Sequence, residues 1–320
     1  EITRIYGYDN FDVFTTKAPL YPVRMSEEKL LEDRIKDILV KRFRLHELHS
    51  YVWQYADEYK KLGIEVEDNI KLSNSTNPNI ETIRRSIVPT QFCQVNYNTG
   101  YATDFGVFEV GRVVNGVKED GLCEEHKKLC ITLFSKTKSL EKLYFELRDM
   151  LAEMVDDLKH KPLTYAKKEA THSYQHPKNL NALLLDGIDI GEIGVAHPVV
   201  SKKIDKKAQI VYAELDVEAL AKIAGDPIVY EEPSKYPSIE VDLSFVAEKF
   251  SEINDTIKES ADAILKKVGV TDVYSDGTSK SITVRLLFGD DERTLTHDEV
   301  QKVVDNIVEK LKNKGINLKA

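Results

Sequence analysis

The stretch SITVRLLFGDDERTLTHDEVQKVVDNIVEKL, residues 281–311, decides the fold of the last part of the chain. Apolar and polar residues alternate in its first half, which predicts a half-buried strand over 282–288. Thr296 to Glu299 then form a capping-box pattern, which starts a helix. Apolar residues recur at helical spacing behind the box, up to a stop signal at Gly315. The stretch therefore predicts a strand followed by an amphipathic helix.

A second strand and a second helix are predicted upstream of this stretch. Alternation predicts the strand over 239–245. The helix is expected to start at a cap, Ser251, and to stop at Gly269. Its apolar stripe consists of Ile253, Ile257, Ala261, Ile264 and Val268.

Two short strands complete this domain. One is predicted over 270–274, before the turn signal Ser275-Asp276-Gly277, and the other over 316–318. The resulting order, β-α-β-β-α-β, is the ferredoxin-like plan. That plan puts both helices on one face of the sheet and leaves the other face open.

The longer region before this domain mixes hairpins and helices. Helices are predicted from Ser26 to Phe43, over 89–97 and over 140–158. Strands are predicted over 47–53, 105–114, 181–185, 188–195 and 209–215. This mixture indicates an α+β fold, with an antiparallel sheet flanked by helices rather than a regular βαβ series.

The segment DPIVYEEPSKYP, residues 226–237, carries three prolines, several charges and little periodicity, which is typical of a linker. The first residue is Glu1 rather than Met, so we expect a fragment of a longer protein. We predict four segments: the tail of an upstream helical domain with a connector at 1–24, a core at 25–228, a linker at 229–235 and the ferredoxin-like domain at 236–320.

Composition excludes several classes of protein. The chain has 320 residues, of which 42% are apolar, and this suits two domains with real cores. The mean hydropathy is −0.37, and no apolar run is long enough to span a membrane. Three cysteines without CxxC spacing argue against a disulfide scaffold and favour the cytoplasm. The net charge of −9 argues against broad affinity for nucleic acid, although it allows a local basic patch.

Motifs that carry chemistry are scarce. The chain has no P-loop, GxGxxG, HExxH or GxSxG pattern. His46 and His49 have metal-like spacing only on a helix, whereas a strand is predicted there. The pair His172 and His176 precedes a proline, which favours a loop. We keep a general-base role for either member of that pair as the weakest hypothesis.

Several segments together resemble the C-terminal portion of the β subunit of bacterial phenylalanyl-tRNA synthetase. Their order and spacing carry the resemblance, which runs nearly end to end. The segments are EITRIYGYDNF (1–11), ETIRRSIVPTQF (81–92), FGVFEVGRVV (105–114), YQHPKNLNALLLDGIDIGEIGVAHPVV (174–200), KYPSIEVDLSFV (235–246) and VRLLFGDDERTLTHDEV (284–300).

The resemblance implies a class II synthetase-like core that is catalytically silent, with the chemistry carried by an α subunit. A class II site needs an arginine beside a glutamate to grip ATP. Here Arg84 and Arg85 are followed by Ser86 and Ile87, and the glycine-bearing segment 187–194 contains no arginine. We therefore assign no catalytic residue.

The resemblance also implies that the ferredoxin-like domain binds the anticodon stem-loop of tRNA(Phe). Residues 236–320 carry 12 Lys and Arg against 16 Asp and Glu, a net charge of −4, so binding needs a local cluster. Lys280, Arg285 and Arg293 are the candidates. Members of the family often carry arginine where this chain has Val241, which weakens the expected contact.

The implied cofactors are Mg²⁺ and ATP for the intact enzyme, an α2β2 heterotetramer, and none is expected to be bound to this fragment. Glu1 matches the second residue of a Glu-Glu pair that helps to bind magnesium in the family, and a carboxylate suits a hard cation. The main alternative is a synthetase-derived paralogue that acts as a binding or regulatory module for a partner protein or an amino acid.

Overall fold

The computed structural model describes residues 1–15, 17–230, 232–260, 263–275 and 280–319. The chain divides into two compact units, Glu1–Ile228 and Val229–Ala320.

The second unit has the ferredoxin-like plan that the sequence predicts. Its strands pair antiparallel in the order Asn317–Leu318, Ile239–Val246, Lys280–Phe288 and Leu265–Ser275, and its two helices cover one face. The elements are β8 (Ile239–Val246), α8 (Phe250–Ser260), β9 (Leu265–Ser275), β10 (Lys280–Phe288), α9 (His297–Asn313) and β11 (Asn317–Leu318).

The helix predicted from Ser251 to Gly269 is shorter in the structure. The α8 helix ends at Ser260, and Gly269 lies inside β9, opposite Arg285. Val268 pairs with Leu286 and packs on the apolar core from the sheet side. The apolar residue spacing thus fits a strand as well as a last helical turn. Ala261 of the predicted stripe, and Asp276 and Gly277 of the predicted turn, lie outside the described residues.

The capping box at the start of α9 is confirmed. The Thr296 hydroxyl accepts a hydrogen bond from the backbone N–H of Glu299, and the Glu299 carboxylate accepts one from the backbone N–H of Thr296. The helix then buries Val300, Val304 and Ile307 against the sheet. Because the box satisfies two backbone groups that would otherwise lack partners, it fixes where the helix begins.

The first unit is built on a large mixed sheet in which most strands run antiparallel. Its seven strands pair in the order 46–47, 104–117, 123–135, 209–216, 188–196, 175–185 and 164–167. The strands are β1 (His46–Glu47), β2 (Asp104–Val117), β3 (Cys123–Ser135), β4 (Thr164–Lys167), β5 (Gln175–Leu185), β6 (Ile188–Ala196) and β7 (Gln209–Asp216). The helices are α1 (Ile2–Tyr6), α2 (Glu27–Lys41), α3 (Ala56–Leu62), α4 (Val88–Asn98), α5 (Leu140–Lys159), α6 (Pro198–Ile204) and α7 (Val217–Lys222).

Helices cover both faces of this sheet. On one face, α2, α5 and α7 pack on an apolar core. On the opposite face, α3, α4 and α6 pack around Phe92, Tyr174 and Tyr212.

The strand predicted over 47–53 is reduced to β1, which pairs with β2 in parallel. The long β3 strand was not predicted, because its first half, CEEHKK, is charged.

We expect the Thr296→Ala variant to destabilise α9 by about 1 kcal/mol, because it removes the hydroxyl that caps the helix. Hydrogen–deuterium exchange of the α9 amides should then be roughly fivefold faster. Thr296→Ser keeps a hydroxyl and should exchange like the unmodified chain. Equal protection in the alanine variant would contradict the capping role.

Candidate nucleic-acid interface and the polar interior of the large sheet

The open face of the small sheet follows from strand alternation. Ile282, Val284 and Leu286 of β10 are buried under the helices, so the intervening Thr283 and Arg285 lie on the other face. Cross-strand register places Asp242, Ser244, Asp272 and Tyr274 on that face too. The face therefore mixes hydroxyl groups, charged groups and one aromatic ring.

Arg285 lies on the open face but is held by carboxylates. Its guanidinium donates hydrogen bonds to both carboxylate oxygens of Asp242, at 2.8 and 2.7 Å, and lies 3.2 Å from the Glu240 carboxylate. The hydrogen bonds to Asp242 raise the pKa of Arg285 above its usual range. Its positive charge is therefore largely balanced within the small sheet.

The other two candidate cations lie elsewhere in the second unit. Because residues alternate along β10, Lys280 lies on the side that the helices cover. Its ammonium donates a hydrogen bond to the carbonyl oxygen of Glu248 at 3.0 Å. Arg293 lies before α9, 2.7 Å from Glu299 and 3.5 Å from Asp290. The structure thus does not bring Lys280, Arg285 and Arg293 together on one face. Their role in binding tRNA stays a prediction.

Sequence reasoning missed another group on the open face. The ammonium of Lys319 lies 4.5 Å from the centre of the Tyr274 ring and 3.2 Å from the Ser281 hydroxyl. Tyr274 is 55% exposed, and its cross-strand partner is Ser281. A cation beside an exposed aromatic ring offers both stacking and charge to a nucleobase and its phosphate. In a strand, Tyr274 and its neighbour Val273 point to opposite faces. This alternation in the sequence could have indicated that Tyr274 lies on the open face.

The predicted magnesium ligand does not have the surroundings of a metal site. Glu1 is exposed, and its carboxylate pairs with the guanidinium of Arg4 at 2.5 Å. Among the described residues, no group of three or more His, Cys, Asp or Glu side chains is placed to hold a metal ion. Glu1 offers only one of the several oxygen ligands that Mg²⁺ takes, so its role in the longer parent protein stays a prediction.

The histidine pair His172 and His176 diverges. The Nδ1 atom of His172 lies 2.5 Å from the Glu67 carboxylate, and its ring stacks on Tyr174. The ring nitrogen of His176 accepts hydrogen bonds from the backbone N–H groups of Lys178 and Asn179. His172 does have the acidic neighbour that a general base needs, but that contact also ties two loops together.

The most unusual feature of the large sheet is a row of buried carboxylates. Glu109 on β2 pairs with Cys130 on β3, Cys130 pairs with Glu214 on β7, and Glu214 pairs with Glu192 on β6. All three glutamates are buried on the face that α3, α4 and α6 cover. Like charges placed opposite each other repel, so each carboxylate needs its own counter-charge.

Arg84 supplies the counter-charge for Glu109. Both side chains are only 1% exposed, and the guanidinium lies 2.8 Å from the carboxylate. Arg84 also donates to the Ser50 hydroxyl at 2.7 Å and to the carbonyl of Arg112 at 3.1 Å. Gly111 leaves room for the pair, since a Cβ there would lie 2.6 Å from the guanidinium. The arginine is thus fully engaged inside the sheet.

The other two carboxylates are neutralised in the same way. Glu214 accepts hydrogen bonds from Lys128, from the Ser86 hydroxyl and from the backbone N–H of Ile87. Glu192 accepts hydrogen bonds from the side chains of Gln175 and Tyr212 and pairs with Lys168 at 2.9 Å. The Arg84 to Ile87 segment therefore anchors α4 to the sheet, and Arg84 is not directed toward solvent.

The fold and these sites define a class of protein. A large, mostly antiparallel sheet with helices on both faces, followed in the chain by a ferredoxin-like domain with an open face, is the combination that the resemblance to an aminoacyl-tRNA synthetase subunit implies. The family described as "Phenylalanyl tRNA synthetase beta chain CLM domain" matches residues 14–217, and "Ferredoxin-fold anticodon binding domain" matches residues 234–319. The chain belongs to the phenylalanyl-tRNA synthetase beta chain family.

Curated relatives agree with this assignment. The chain is 27% identical to the phenylalanine–tRNA ligase beta subunit of Syntrophus aciditrophicus over 97% of its own length. It is 28% identical to the corresponding subunits of Listeria monocytogenes and Bacillus subtilis over 98% of its length. The chain spans 40–41% of the length of these relatives.

No helix within the described residues is long and apolar enough to cross a membrane.

We expect the Arg84→Met variant to lose about 3–5 kcal/mol of unfolding free energy, because it leaves Glu109 charged and buried without a partner. The double variant Arg84→Met/Glu109→Leu should recover at least half of that loss, since no lone charge remains. Urea unfolding, followed by circular dichroism, measures both. Arg85→Met, a change at the exposed neighbouring residue, is the control. A single variant as stable as this control would contradict the structural role of Arg84.

The contact between His172 and Glu67 should make stability depend on pH. The hydrogen bond to Glu67 raises the pKa of His172 above its ordinary value of 6.5. The folded state therefore holds the proton more tightly than the unfolded state. The stabilisation is complete below pH 6.5 and is lost as the pH rises through the raised pKa. The stability gap between the unmodified chain and His172→Gln should shrink as the pH rises above 6.5 and through the raised pKa. Glu67→Gln removes the other partner of the contact and should behave like His172→Gln. A difference in stability that stays constant with pH would contradict the role of this contact.

Proposed function

We propose that this chain is a non-catalytic part of the beta subunit of phenylalanyl-tRNA synthetase. In this proposal it supports a catalytic α subunit and binds tRNA(Phe), while the complete α2β2 enzyme attaches phenylalanine to tRNA in the cytoplasm, using ATP and Mg²⁺. The observation that carries the proposal is the engagement of Arg84. Arg84, one of the two arginines that could have matched the class II pattern, is buried and neutralises Glu109 instead.

Support for a partner subunit comes from exposed apolar residues on the long helices of the first unit. Leu30 and Val40 of α2 and Phe145 of α5 are each more than 40% exposed. Buried residues such as Ile35 and Leu147 already form the core of the unit, so the exposed ones are available for an interface. Obligate interfaces are more apolar than ordinary surfaces.

Support for tRNA binding comes from the open face of the small sheet. The group formed by Tyr274, Ser281 and Lys319 combines an exposed ring, a hydroxyl and a cation. The anticodon loop presents unstacked bases, and such bases bind proteins by stacking on aromatic rings. Because Arg285 is balanced by Asp242 and Glu240, this group is the better candidate for the contact.

An RNA hairpin with the anticodon stem and loop of tRNA(Phe) tests the proposal. Tyr274→Ala should weaken binding of the full chain to the hairpin about tenfold, since one stacked base contributes roughly 1–3 kcal/mol. Fluorescence anisotropy gives the dissociation constants. Tyr274→Phe keeps the ring and should bind like the unmodified chain. Tyr97→Ala, which removes an exposed ring from the first unit, is a second control. Unchanged binding by Tyr274→Ala would remove this face from the proposed interface.

A further inference from the structure

The segment SKKIDKK, residues 201–207, carries four lysines in seven residues. We use the name lysine cluster for Lys202, Lys203, Lys206 and Lys207. All four side chains are exposed, at the last turn of α6 and in the turn that follows. Residues 198–208 contain four lysines and one aspartate, a net charge of +3 in a chain whose net charge is −9.

The local fold holds the lysine cluster outward. Val200 and Ile204 of α6 are buried in the core, so Lys202 and Lys203 lie on the outer side of the helix. Asp205 accepts a hydrogen bond from the backbone N–H of Lys207 at 2.8 Å, which shapes the turn. The Asp205 carboxylate also pairs with Lys136 at 2.9 Å. The one acidic residue of the segment is therefore used elsewhere.

A neighbouring helix adds to the same surface. The α3 helix packs against α6, and the ammonium of Lys203 lies over Gly63, where α3 ends. Lys60 and Lys61 in the last turn of α3 are also exposed. Among the described residues, none of these six lysines has a carboxylate within 4.0 Å. Several lysines elsewhere in the unit do have one, namely Lys29, Lys36, Lys127, Lys128 and Lys161.

We propose that the lysine cluster, with Lys60 and Lys61, binds the phosphodiester backbone of double-stranded RNA. This second contact surface rests on the proposed function, because it presumes that the chain binds tRNA. Unpaired, exposed ammonium groups displace the counterions of a polyanion without first breaking an ion pair. Helical RNA exposes continuous rows of phosphates, which a surface of separate point charges can contact without reading sequence.

Other kinds of partner fit this surface less well. Protein interfaces are depleted in lysine at their centres and are anchored by large aromatic or apolar residues. A helix that lies on a membrane needs a continuous exposed apolar face, whereas Val200 and Ile204 of α6 point into the core. Val199 is the one large apolar side chain of α6 that is exposed, which is too little for an anchor, so the positive charge favours RNA.

A blunt RNA duplex of about 12 base pairs tests the proposal, because it has no loop for the open sheet face. The variant carries Lys→Gln at all four residues of the lysine cluster. The control variant carries the same change at Lys118, Lys142, Lys167 and Lys222, which are exposed but dispersed. Binding of the full chain is measured over a salt series. We expect the cluster variant to lose at least about tenfold in affinity, and its log–log salt slope to fall by about 2–3. The control should change much less.

Two outcomes would overturn the proposal: equal losses in both variants, or an unchanged salt slope in the cluster variant. Retained RNA binding together with lost binding to polyglutamate would assign the surface to an acidic protein instead. The anticodon hairpin and Tyr274→Ala test the open sheet face separately. If the duplex experiment contradicts the role of the lysine cluster, the hairpin result for the open sheet face is unaffected. Likewise, a negative hairpin result does not affect the test of the lysine cluster.

Discussion

The ion pair between Arg84 and Glu109 sits at one end of the row of carboxylates that constrains the large sheet. Three glutamates, on β2, β7 and β6, lie in one cross-strand row under a layer of helices. A buried charge without a partner is strongly unfavourable, so the fold must bring each glutamate its own donor. Arg84, Lys128 and Lys168 do this from three separate segments. The row thereby fixes how loops and strands that are distant in the sequence come together.

The pairing of the buried carboxylates is also relevant to the proposal that another subunit carries out the catalysis. Arg84 is bonded to Glu109, and α4 covers the sheet face on which Glu109 lies. Removing Arg84 from its pair to bind a nucleotide would leave Glu109 charged and unpaired, so the pair and a phosphate site exclude each other. The unit is better suited to act as a scaffold, which agrees with the proposal that another subunit carries the chemistry.

The sequence predicted those features that depend on local pattern. The capping box at Thr296, the alternation in β10 and the ferredoxin-like order were all readable, because a few adjacent residues determine them. The end of α8 was not, since apolar residues at Ile264 and Val268 fit a helix and a strand equally. The carboxylate row was beyond prediction: Glu214 meets Ser86 across 128 positions of the chain. Sequence spacing carries no signal for a contact at that separation.

Whether a surface can bind a polyanion depends on whether its cations are already paired with carboxylates, and not on the net charge of the chain. Arg285 looked favourable because it lies on an open sheet face, yet two carboxylates hold it. The lysine cluster lies in a segment with one acidic residue, Asp205, and the fold pairs that residue with Lys136. A cation that must leave an ion pair gains little on binding phosphate, because one ionic contact replaces another. An unpaired cation loses nothing of that kind, so an acidic chain can still bind RNA through a small part of its surface.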